Sequence, residues 1–88
     1  QISEGVDHFN VFPNPVSDKL YVTFNQSDAK EVTLKLIDVT GREVQKLNIL
    51  SVTGENHASF DVTSLTNGIY FACLINGEQK EMMKVLIE

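Results

Sequence analysis

Apolar residues recur at every second position in short blocks, and no stretch carries the three-to-four-residue spacing of a helix. Between Lys19 and Phe24, Leu20, Val22 and Phe24 alternate with Tyr21 and Thr23. Between Glu31 and Ile37, Val32, Leu34 and Leu36 alternate with Thr33 and Lys35. A period of two is what a half-buried strand requires, because successive side chains leave opposite faces of the pleat. The pattern predicts further strands at Glu43–Leu50, at His57–Val62 (Ala58, Phe60 and Val62 on one face) and at Glu78–Ile87. Gly68–Ile75 differs. It is apolar on both faces, with Ile69, Phe71, Cys73 and Ile75 on one and Tyr70, Ala72 and Leu74 on the other, as a central strand would be. Phe9–Phe12 is a shorter apolar stretch, and Gln1–His8 reads as a linker or frayed terminus.

Turn chemistry separates the blocks. Pro13-Asn14-Pro15 removes two backbone donors and fixes φ twice, so a rigid bend follows Phe12. Asn25–Asp28 is a turn by composition, and Ser51–Asn56 a loop. In Asp38-Val39-Thr40-Gly41-Arg42, glycine supplies positive φ and the aspartate accepts bonds from turn amides. Asn76-Gly77 is the strongest hairpin signal in the chain, both residues suiting a type I′ turn. Seven short strands with frequent turns predict an all-β fold, an immunoglobulin-like antiparallel β-sandwich of about seven strands. A small closed barrel is the competing architecture.

Composition narrows the function classes. The 88 residues suffice for one small domain. Val, Ile and Thr together number 22 against 3 Ala, which suits pleated surfaces rather than helical bundles. Net charge is −5 with 7 scattered basic residues, which argues against a nucleic-acid partner. No apolar run reaches membrane-spanning length. A single cysteine allows neither an intrachain disulfide nor a zinc cluster. Gln1 is not a start methionine and no secretory leader precedes the blocks, so the chain reads as a piece of something longer.

No catalytic constellation emerges, and no catalytic residue, metal ligand or cofactor is expected. His8 and His57 lie far apart in sequence and read as exposed strand-end residues. Cys73, on the most apolar strand, reads as a buried structural thiol rather than a nucleophile. Asn10, Asn14 and Asp18 offer oxygens, but at no calcium-loop spacing. Tyr70 suits a tyrosine corner: Gly68 permits the turn, Leu65 plugs the sandwich end, and the hydroxyl bonds backbone a few residues upstream. The competing reading of Tyr70 is an exposed binding aromatic.

Four blocks in order carry a resemblance: Phe12-Pro13-Asn14-Pro15 before a Leu-x-Val strand, Leu36-Ile37-Asp38-x-x-Gly41-Arg42-x-Val44, Leu65-x-x-Gly68-x-Tyr70, and Lys84-Val85-Leu86-Ile87. Together they resemble the C-terminal sorting domain (type A) of the type IX, or Por, secretion system of Bacteroidetes, with Gln1–His8 as linker and possible processing region and residues 9–88 as the domain. Its motif positions fall here on Pro13, Asn14, Pro15, Asp38, Gly41, Arg42, Gly68, Tyr70, Lys84, Val85, Leu86 and Ile87. Glu88 departs from the basic or apolar ending common in the family.

The resemblance implies an export signal rather than an enzyme. A cargo domain N-terminal to it reaches the periplasm. Shuttle proteins and the outer-membrane translocon then carry the protein to the cell surface or medium, where a sortase-like peptidase removes the domain. The last strand, if it lies at a sheet edge, invites strand addition by that machinery or by a second copy of the chain; alternatively Val85 and Ile87 simply complete the core. The other functional class is an immunoglobulin-like module binding carbohydrate or protein. The absence of Trp, and Phe residues assigned to core faces (Phe24, Phe60, Phe71), argue against a sugar platform.

Overall fold

In the computed structural model, residues 6–88 are described, with side chains from Phe9 onward. Seven strands form: β1 (Val6–Phe12), β2 (Lys19–Gln26), β3 (Glu31–Asp38), β4 (Glu43–Leu50), β5 (Gly54–Asp61), β6 (Gly68–Asn76) and β7 (Gln79–Ile87). They make an antiparallel three-stranded sheet, β1-β2-β5, and an antiparallel four-stranded sheet, β4-β3-β6-β7. The all-β sandwich predicted from the alternation is the observed architecture. Residues 1–5 of the expected linker lie outside the described residues, and β1 begins at Val6, ahead of the apolar stretch read from sequence.

The alternation decides which side chains meet between the sheets. Leu20, Val22 and Phe24 of β2 are at most 1% exposed, as are Val32, Leu34 and Leu36 of β3. Phe9, Val16, Phe60, Val62, Tyr70, Ala72, Leu74, Val85 and Ile87 complete this inter-sheet core. β6 is internal to its sheet, as its two apolar faces predict. Phe71 is a correction: it is half-buried on the outer face, because the inward positions of β6 are the even-numbered ones. Cys73 is buried as expected, but beneath the outer-face side chains and not between the sheets. Burial pushes its thiol pKa up, with Lys80 and Lys35 pulling it partly back, so the thiolate is scarce near neutral pH.

Strand ends differ from the sequence reading in a consistent way. β2 extends through Asn25 to Gln26, β5 starts at Gly54, and β6 runs to Asn76. The β6–β7 turn is Gly77-Glu78, with Gly77 at φ +62°, so Asn76 is not a turn residue. Gln26 and Asn76 continue the inward positions of their strands and are buried with Ser51. Gln26 Nε2 donates to Ser51 Oγ (3.2 Å), Asn76 Nδ2 to Gln26 Oε1 (3.0 Å), and Ser51 Oγ to the Lys30 carbonyl (2.6 Å). These bonds close one end of the sandwich with polar groups that partner one another after leaving water, all but Asn76 Oδ1, which is buried without a partner.

Candidate functional site

The opposite end gathers all four sequence motifs. Asp38 pairs with Tyr70 across β3 and β6, Tyr70 with Val85 across β6 and β7, and Gly68 with Ile87. The middle turn, the corner tyrosine and the closing strand are therefore laid side by side in one sheet.

The Pro13-Asn14-Pro15 segment joins them from the other sheet. Asn14 Nδ2 donates to the Lys84 carbonyl (2.9 Å), and the Leu86 amide donates to Asn14 Oδ1 (2.9 Å). Next to it, the Val16 amide donates to the Leu86 carbonyl (2.9 Å) and the Glu88 amide to the Val16 carbonyl (2.9 Å). β7 is an edge strand, and its last residues would otherwise present a row of unpaired backbone groups. One side-chain amide and one backbone unit satisfy that row instead. Both X–Pro bonds flanking Asn14 are cis. In the sequence Asn14 stands out as a bend residue and a family motif position, not as a bridge. Nothing local signals its partners, which lie 70 and 72 residues away.

The Asp38–Arg42 turn is built as expected. Asp38 Oδ1 accepts from the amides of Thr40 (3.0 Å) and Arg42 (3.0 Å) and from the Thr40 hydroxyl (2.6 Å), and Oδ2 accepts from Arg42 Nε (3.1 Å). Gly41 takes φ +90°, a conformation that L side chains rarely adopt. The Thr40 hydroxyl holds the Asp38 carboxyl below its ordinary value, against an opposing effect of burial, and the Arg42 and Thr40 amides and the Arg42 guanidinium add to it. A carboxyl lowered by folding contributes stability above its unfolded pKa and loses it as pH falls through the folded one. Asp38→Asn is accordingly expected to cost melting temperature near neutral pH, with the difference from wild type shrinking as pH drops below about 4. Thermal melts across that range check this; a constant difference would contradict it.

Tyr70 forms the corner. The residue is 6% exposed and its hydroxyl donates to the Thr66 carbonyl (2.7 Å), with Thr66 Oγ1 at 3.2 Å. The binding-aromatic alternative is thereby set aside. Tyr70→Phe is expected to destabilise the domain by about 1–2 kcal/mol, the value of a part-buried bond whose acceptor is left unpaired. An unchanged denaturation midpoint would contradict the corner.

A shallow groove runs between the Asp38–Arg42 turn and the Thr66–Tyr70 loop, and a second lies beside Pro13, Pro15, Lys19 and Tyr21. Phe12 and Tyr21, 47% and 45% exposed, stack at this end with ring centroids 5.9 Å apart and 29° between planes. On the closing strand, Val85 and Ile87 point inward, while Lys84 and Leu86 face outward. Among the described residues, no group of three or more His, Cys, Asp or Glu side chains is placed to hold a metal ion, and no helix is long and apolar enough to cross a membrane.

A family model described as "Secretion system C-terminal sorting domain" matches residues 10–88. No curated protein matches the chain.

Proposed function

Because the chain belongs to the family of type IX secretion C-terminal sorting domains, we propose that the end of the sandwich where its four motifs meet is the part the export machinery reads. The domain is a type IX sorting signal, it engages the secretion machinery, and it directs export to the cell surface or medium. The sorting domain itself is not catalytic.

The observation that carries the finer reading is the Asn14 bridge to Lys84 and Leu86. It makes the first and last motifs one structural unit, so residues distant in sequence present a single surface. Lys84 and Leu86 are the outward-facing members of that surface, and Asp38, Gly41, Arg42, Gly68 and Tyr70 hold its shape. Its partners are shuttle proteins and the outer-membrane translocon. The cargo is the polypeptide N-terminal to the domain, delivered through the periplasm, and a surface sortase-like peptidase cuts within Gln1–His8.

A Sec-targeted reporter fused ahead of the chain, with one epitope on the reporter and another after Glu88, tests processing in a Bacteroidetes host. The reporter epitope is expected outside the cell without its companion. Both epitopes travelling outward on one polypeptide would contradict removal.

A further inference from the structure

Four of the chain's seven basic residues share one face. Register sets Phe71 opposite Lys84, Cys73 opposite Met82 and Ile75 opposite Lys80. Lys35 lies opposite both Cys73 and Lys46. With Val85 and Ile87 inward, the period of two turns Lys80, Met82, Lys84 and Leu86 outward onto the same face as Lys35 and Lys46. The carboxylates of β3 and β4 on this face are Glu31 and Glu43, and Glu43 is held 3.5 Å from Lys35 Nζ. A chain of net charge −5 thus carries a basic and apolar outer sheet face, with Met82 49% and Ile69 42% exposed.

This face ends on the β7 edge, and the described residues cover only half of that edge. Asn14 and Val16 occupy the outward backbone groups from the Lys84 carbonyl to the Glu88 amide. Outward groups of an antiparallel edge strand alternate. Among the described residues, nothing pairs with the N–H and C=O of Lys80 and Met82 or the N–H of Lys84.

We infer that the half-edge Lys80–Lys84 takes an added strand from a protein partner whose outer-face side chains read acidic, apolar, acidic, set opposite Lys80, Met82 and Lys84. Main-chain bonds supply the docking and the two lysines supply the register. A second copy of this chain is the wrong partner. Antiparallel β7–β7 pairing centred on Met82 puts Lys80 of each copy opposite Lys84 of the other, and in-register parallel pairing puts like beside like. The inference deepens the sorting-signal reading and rests on it for placing the partner within the export machinery.

The direct test titrates the isotope-labelled chain with a disulfide-cyclised hairpin whose open strand reads Thr-Glu-Thr-Val-Thr-Glu-Thr. Amide shifts are expected along Lys80–Lys84 and the neighbouring β6, shrinking with added salt. Lys80→Glu with Lys84→Glu should weaken binding about tenfold or more. Met82→Pro, which removes an open edge N–H and no ladder bond, should abolish it. Should the proline variant not fold, the charge reversal, at two exposed positions, carries the test alone. No shifts, shifts at the β1, β4 or β5 edges, or equal shifts with a hairpin bearing Lys in place of Glu would overturn the inference. Both variants are then carried into the export fusion. A wild-type fusion held in the periplasm overturns the sorting reading itself; wild type and variants exported at equal yield overturn this inference and leave the sorting signal standing.

Discussion

Removing Met83–Glu88 is expected to abolish export of a fused reporter and to unfold the domain at the same time. Val85 is 0% and Ile87 2% exposed, and burying two such side chains is worth about 3–6 kcal/mol. The deletion also strips the partners of Asn14 and Val16. Small domains hold about 5–15 kcal/mol in all, so little or nothing remains. Loss of the cooperative melt checks the structural half. Export that persisted would show that the closing strand carries no signal. A companion variant separates signal from fold: Lys84→Ser with Leu86→Ser leaves Val85 and Ile87 in the core and changes only the outward face. It is expected to melt within about 1 kcal/mol of wild type, yet to be exported poorly. Normal export of this folded variant would mean that the last strand serves the core and nothing else.

Asn14→Ala is expected to cost about 1–3 kcal/mol, because two bonds vanish and their backbone partners on the β7 edge are left bare. A second readout is more specific than stability. In wild type the Leu86 and Glu88 amides, although on an edge strand, are hydrogen-bonded and should exchange slowly with solvent, while those of Lys80 and Met82 exchange fast. In Asn14→Ala the Leu86 amide alone should join the fast group. Asn14→Asp does not rescue it fully, since a carboxylate accepts from Leu86 but cannot donate to the Lys84 carbonyl. Equal exchange along all of wild-type β7 would remove the bridge from the account.

The parts of this fold visible in the sequence are those set by local rules. Leu20-Val22-Phe24 and Val32-Leu34-Leu36 fix both strands and their inward faces, because the pleat has a strict period of two. The Asp38–Arg42 turn and the Tyr70 corner bond within four residues. What was hidden depends on distance. The Asn14 bridge spans more than seventy residues, and no local pattern encodes it. Gln26 and Asn76 were legible in principle, since each sits at the next inward position of an apolar alternation. Their polarity suggested a turn, but the protein buries them as partners of Ser51 and of each other. Phe71 was misassigned because β6 is apolar on both faces, and hydrophobicity alone does not say which face meets the other sheet.

The family places the chain in export, and the geometry adds that one end of the sandwich is a single surface. The most direct measurement is the extracellular fraction of a Sec-targeted reporter fused ahead of this chain, in a Bacteroidetes host with and without its type IX translocon. The account predicts reporter at the cell surface or in the medium of the intact host, and periplasmic retention when the translocon is deleted. Retention in both hosts, or release in both, would contradict it.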